Sequence, residues 1–239
     1  MKTAISQPRY LPAVNYLQRL YWTDVFVLLD DVQRQGRGVE NRNKILRGGK
    51  AEWLTIPISS ESREKIMHTV INGNSWITTH RRKLIMAYQR HPFFDESFIY
   101  AAYSGIMDKS TFYVDALETF LRNVCALFDF APKLIRASCL DINHAVNGPA
   151  HLLDICMAVD ATLYISGANG LRYGVEETFA GRIPVLYNIH ENAAYAQPGD
   201  TSFVPWLAFF DQLFCVGLEK TRAAIIEPLT IAKEKTIHV

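Results

Sequence analysis

Apolar residues follow two rhythms along this chain. Near the start, TAIS (3–6) ends at a Gln-Pro, Val14, Leu17, Leu20 and Tyr21 recur at three- and four-residue steps, and DVFVLLDDVQ (24–33) is a dense run of β-branched and aromatic side chains. A residue before proline avoids the helical region, so the first run is expected to be a strand that stops in a turn. Steps of three and four mark one face of a helix, and Pro12 suits its first turn. A run that is apolar on both sides of the pleat is what a strand covered on both faces requires. The three segments together predict a βαβ unit.

The rhythm then changes. RQGRGVENRNKILRGGKA (34–51) is rich in Gly, Arg and Asn, which predicts a long loop or hairpin with Gly48-Gly49 as a turn, and EWLTIPIS (52–59) reads as a further strand. From Trp76 to about Phe128 the apolar groups fall at helical spacing, among them Leu84, Ile85 and Tyr88, then Val114, Leu117, Phe120, Leu121, Val124 and Leu127. PAHLLDICMAVDATLYISG predicts a helix followed by a strand at 161–166, IPVLYNIH (183–190) another strand, and the segment from Phe203 to Ile226 a closing helix. The expected fold is therefore α/β: a mixed or mainly parallel sheet grown from an N-terminal βαβ unit. A chain of 239 residues suits one such domain, spanning 1–239, with a helical insertion at about 75–130.

Charge and composition narrow the function. Twenty-five basic against 24 acidic residues leave a net charge of +1, which offers no field for wrapping nucleic acid or lying on an anionic membrane. A small-molecule substrate or a protein partner is the remaining expectation. No apolar run approaches the roughly 20 residues that span a bilayer, and MKTAISQPRY lacks a signal-peptide core, so a cytoplasmic protein is expected. Cys125, Cys139, Cys156 and Cys215 form no CxxC pair, so their spacing predicts neither a disulfide framework nor a metal site.

In open α/β sheets ligands bind beyond the carboxyl ends of the strands. Gln7, Arg9, Tyr10, Asp30, Asp31, Gln33 and the triplet Asn41, Arg42 and Asn43 are all expected at that edge. Asp30 and Asp31 are adjacent, so at most one enters a given pocket. Arg42, between two amides, offers a fork of donors for a phosphate or carboxylate. Ser75 or Asn74 would start the helix that carries Trp76 and His80 on one face, and His80 is the candidate general base. YISGANGLRYG (164–174) places Ser166 and Gly167 in a glycine-rich turn that permits close backbone approach, although it matches no phosphate-loop or nucleophile-elbow pattern. Cys156 is expected in the core, with a nucleophilic role as the lesser reading.

These stretches carry a resemblance. The chain is similar to the WbqC-like protein family in QPRYLPAVNYLQRLYWTDVFVLLDDVQ, in ENRNKI followed by WLTIPI, in Trp76, His80 and Tyr88 with PFF after them, in YISGANGLRYG and in FVPWLAFFDQLF. Where many members read His-Gln-Pro, this chain has Ser6. The resemblance implies an acyl- or aminoacyl-transferase forming an amide between a thioester-activated acyl group and an amine, in O-antigen, other polysaccharide or natural-product biosynthesis. It implies no tightly bound cofactor, with a phosphopantetheine thioester on coenzyme A or on an acyl or peptidyl carrier protein as donor. Under that reading His80 is the base, Asp30 or Asp31 orients it, Asn41, Asn43 or the glycine-rich turn holds the oxyanion, and Tyr88 joins the substrate-binding residues. The competing expectation is a sugar-binding or assembly protein without turnover, docking a glycan or partner on Trp53, Trp76, Trp206 and Tyr195.

Overall fold

The computed structural model describes residues 1–34, 38, 40–59, 64–73, 75–106, 112–189, 193–198, 202–228 and 231–232. The opening βαβ unit is present as β1 (Lys2–Ser6), α1 (Val14–Tyr21) and β2 (Val25–Leu28), with β1 and β2 parallel from Thr3 opposite Val25 to Ser6 opposite Leu28. β2 buries all four residues: Phe26 and Leu28 enter one apolar cluster while Val25 and Val27 enter another. That two-sided burial explains the unbroken apolar run, since each face of the sheet carries its own helical layer.

A hairpin of β3 (Arg42–Arg47) and β4 (Lys50–Thr55) follows, closed by Gly48 and Gly49 at φ 56° and 75°. Both turn residues occupy the left-handed region, which a two-residue hairpin turn requires and glycine supplies without steric cost. The helical block is next: α2 (Trp76–Tyr88), α3 (Glu96–Ala102), which Asp95 caps by accepting from the Ser97 amide at 2.8 Å, and α4 (Tyr113–Leu127). The chain returns through β5 (Lys133–Arg136), α5 (Gly148–Ala158), β6 (Leu163–Gly167), α6 (Val175–Phe179) and β7 (Val185–Asn188). It closes with α7 (Phe209–Val216), α8 (Leu218–Ile226) and β8 (Ile231–Ala232).

The main sheet runs β5-β2-β1-β6-β7-β8, parallel throughout except for the last pair. From β1 the chain first builds outward to β2 and β5, then crosses by α5 to the other side of β1, where β6 lies. The strand order therefore reverses between β1 and β6, and their carboxyl ends, Ser6 and Gly167, define the switch point.

Two boundaries differ from expectation for local reasons, and one open alternative is decided. β2 ends at Leu28 although its apolar run continues, because Asp30 turns inward and accepts from the Ser138 amide (2.9 Å) and hydroxyl (2.6 Å). Residues 42–47 take the hairpin alternative because the Gly-Gly turn pairs them with 50–55, outweighing their polarity. The four residues of β5 carry too short a pattern to be seen without their partner β2. Residues 35–37 and 39 of the expected loop, and Asn74, lie outside the described residues.

Candidate functional site

A cavity of about 740 Å³ opens at the switch point. Its floor is the end of β1 with Ser6 and Gln7, its sides are Ser166 to Gly170 after β6 and the first turn of α5, and Arg19 reaches in from α1. Ligand pockets of drug-sized molecules fall in the same volume range.

Arg19 shapes the electrostatics. It is only 9% exposed and has no acidic partner among the described residues. Its guanidinium donates to Ser6 Oγ at 3.2 Å and lies 5.5 Å from the centre of the Tyr16 ring, while Arg9 lies 5.7 Å from the same ring. Tyr16 is itself held by donating to the Gln7 carbonyl at 3.1 Å. Burial, and then the charge of Arg9, both work against the charged form of Arg19. An anion in the cavity would offset both. Gly167 matters here, because a Cβ at that position would stand 3.3 Å from the Arg19 guanidinium.

The second feature is a carboxylate shared by two histidines. Oδ2 of Asp31 lies 2.7 Å from His144 Nδ1 and 2.9 Å from His151 Nε2. His144 Nε2 faces the Leu140 carbonyl at 3.1 Å, so both of its ring nitrogens meet an oxygen acceptor. His151 is 3% exposed and lines the cavity. The Asp31 carboxylate beside Nε2 favours the proton on that nitrogen, which leaves Nδ1 as the acceptor, and among the described residues Nδ1 has no hydrogen-bond partner. A general base needs this tautomer and this free lone pair. Asn188 adds a buried amide oxygen without a partner on the same cavity wall.

The glycine-rich turn fits closely against β6. Ser166 is buried and its hydroxyl donates to the Gly167 carbonyl at 3.1 Å. A Cβ on Gly170 would fall 2.1 Å from Ser166 Oγ and 3.2 Å from the Tyr187 ring. Trp206 stands at the rim, 46% exposed, with a left-handed backbone (φ 63°) that a bulky residue adopts only under constraint.

Of the residues singled out in the sequence, Gln7, Arg9, Ser166 and Gly167 line the cavity, and Asp31 joins it through His151. Asp30 is spent on Ser138, and burial raises its carboxyl above the usual range. His80 lies elsewhere. It is 5% exposed, bonded through Nδ1 to Tyr10 Oη at 2.7 Å and packed against Trp76, while Tyr10 also bonds Tyr103. Burial, helped by the Lys83 charge, lowers its pKa to about 4. Tyr10 is fully buried in this aromatic cluster.

The hairpin residues are likewise internally engaged: Asn41 donates to the Ile56 carbonyl (2.9 Å), Asn43 to that of Leu11 (2.6 Å), and Arg42 donates to the Gly38 carbonyl and stacks 4.5 Å from the Trp53 ring centre. Gln33 is exposed and bridges to Lys65. Tyr88 is buried and accepts from the Leu46 amide at 3.1 Å. Trp76 is buried and so forms no surface platform. Cys156 is buried under α5, with its thiol pushed up to about 12, opposite to what a nucleophile needs. Sequence reading passed over Arg19, His144, His151 and Asn188. The available signal was a Gln-Arg pair, Gln18 and Arg19, inside a helix whose other inner residues are apolar.

The fold thus defines an α/β protein with a cavity at a topological switch point. The chain belongs to the WbqC-like protein family, whose model matches residues 7–223. It is 27% identical over 222 residues to "Uncharacterized protein Rv1507c" of Mycobacterium tuberculosis, covering 91% of this chain and 95% of that one. No solved structure matches it. Among the described residues no helix is long and apolar enough to cross a membrane.

Proposed function

We propose that this chain is an acyl- or aminoacyl-transferase that forms an amide, with the switch-point cavity as its active site and an anionic, phosphate-bearing substrate held by Arg19 and Arg9. The observation that carries the reading is the pairing in one cavity of a carboxylate-oriented histidine, His151, with a buried arginine that has no acidic partner. A phosphopantetheine thioester donor and a nucleotide-linked amino-sugar acceptor each bring a phosphate that the arginines would bind.

In this reading the amine nitrogen attacks the thioester carbonyl carbon, and His151 Nδ1 takes the proton that the nitrogen sheds. Asp31 stabilises the imidazolium so formed. The C–S bond then breaks, and the thiolate leaves with the proton returned from His151. Donors for the oxyanion come from the turn at 166–170, since the amide groups of Asn41 and Asn43 are already committed. A well-placed donor of this kind contributes about 3–4 kcal/mol.

The test is to incubate wild type and His151→Ala with a pool of acyl- and aminoacyl-thioesters and amino-sugar nucleotides and to follow products by mass spectrometry. A new amide from wild type that disappears in the variant is the expected result. Binding of a pool member without any product would overturn the transferase reading in favour of a sugar-binding or assembly role.

A further inference from the structure

A second cluster, sharing no lining residue with the switch-point cavity, joins donor groups from two distant segments. His91 follows the end of α2, its amide bonded to the Tyr88 carbonyl at 2.8 Å, and α7 carries Asp211 and Cys215 one turn apart. A ring nitrogen of His91, a carboxylate oxygen of Asp211 and the sulfur of Cys215 all lie within 4.8 Å of one another. Asp211 lies in the FVPWLAFFDQLF stretch noted in the sequence, Cys215 directly follows it, and His91 directly precedes PFF.

The hydrogen bonding leaves these atoms over. Oδ2 of Asp211 accepts from Tyr195 Oη at 2.7 Å and from Gln197 Nε2 at 2.9 Å, which fixes the carboxylate. Tyr88 also approaches both side chains, yet among the described residues Oδ1 has no hydrogen-bond partner of good geometry and neither ring nitrogen of His91 has one, although all three atoms are closed off from solvent. Each buried polar group left in this way is unfavourable until a partner arrives. Burial raises the Asp211 carboxyl, pushes the Cys215 thiol up to about 12 and lowers His91, so all three charged forms are disfavoured. A divalent ion would reverse the first two and use His91 as a neutral ligand.

We propose that His91, Asp211 and Cys215 are the protein ligands of one zinc-class divalent ion. Sulfur, imidazole nitrogen and carboxylate oxygen are the donor types zinc takes, and three protein ligands leave a fourth position for water or a small molecule. A tetrahedral ion sets its donors about 3–4 Å apart, so the side chains draw in slightly on binding. Binding releases the Cys215 proton to solvent and forms the metal–thiolate bond. Access comes through a cavity of about 500 Å³ that His91 lines together with Leu46, Gly48, Met86 and Arg90. Cysteine spacing carried no sign of this site because its ligands include only one cysteine and come from separate elements.

The test uses the full chain with Cys139→Ser, which removes the exposed thiol. Metal content would be measured after expression with added zinc and gel filtration, and cobalt would be titrated into the metal-free protein. The expected result is one zinc per chain and a near-ultraviolet thiolate-to-cobalt band, with affinity falling at least tenfold in His91→Ala and in Asp211→Asn and unchanged in His151→Ala. The wild-type spectrum needs no variant to fold. Absence of both stoichiometric zinc and the thiolate band would overturn the assignment. So would loss of binding in His151→Ala with retention in His91→Ala, which would move the ion to the other cavity.

Discussion

Two buried histidines, His80 and His151, stand in opposite circumstances. Around His80 the fold satisfies itself: Tyr10 bonds both the imidazole and Tyr103, Trp76 packs across the ring, and burial keeps the ring neutral. Around His151 the fold leaves loose ends among the described residues: an unpartnered Nδ1, an Asp31 Oδ1 without a partner, a buried Asn188 oxygen, and an Arg19 without a carboxylate. Buried polar groups are normally paired, so a cavity where several are not is where a ligand completes the accounting. Residue type distinguishes nothing here. What separates the two is that His151 lines a cavity and keeps a buried ring nitrogen without a partner among the described residues, whereas His80 does neither.

The sharpest way to break the contrast is to disarm each histidine's surroundings in turn. Asp31→Asn removes the acceptor that fixes the tautomer of His151, and amide formation should fall by roughly 10²–10⁴ in kcat with KM little changed. His80→Gln should leave kcat within about threefold, measured in the same assay. Equal losses in both variants would erase the distinction.

His80 should instead report in stability. Its folded pKa of about 4 lies below the ordinary value of 6.5, so between these limits the unfolded state binds more proton. The stabilisation is complete above about pH 6.5 and is lost as pH falls through 4. Urea unfolding of wild type should lose about 3 kcal/mol across that window, and His80→Gln should flatten the dependence. An unchanged slope would show that another group titrates there.

A smaller effect is expected at the glycine-rich turn. Gly170→Ala places a methyl against Ser166 Oγ and the Tyr187 ring. Overpacking of this kind costs about 1–3 kcal/mol, read as a lowered unfolding midpoint together with weaker ligand binding. A fully wild-type variant would mean that the turn relaxes freely.

Much of the architecture was legible in the chain because its signals are local. TAIS, the helical spacing of Val14 to Tyr21 and the VFVLL run mark the βαβ unit, and the Gly48-Gly49 pair marks the hairpin turn. The gathering of Gln7, Arg9, Ser166 and Gly167 at one sheet edge was legible too, and there they line the cavity. Its working groups were not. His151 and His144 acquire meaning only when the crossover through α5 brings them onto Asp31, and Arg19 only when α1 lies against a sheet face that offers no carboxylate. His80 drew attention through its place beside Trp76 on one helical face, yet that face is turned into the aromatic core.

In the proposed transferase, Arg19 and its cavity, and not the aromatic cluster, receive the anionic ligand. Titration of coenzyme A and of a nucleotide-linked amino sugar into wild type, Arg19→Met and His80→Gln tests it directly. Loss of a charge-assisted contact worth about 1.5–3 kcal/mol predicts roughly 10- to 100-fold weaker binding of at least one of the two in Arg19→Met, with His80→Gln close to wild type. Binding unchanged in Arg19→Met, or weakened as much in His80→Gln, would contradict it.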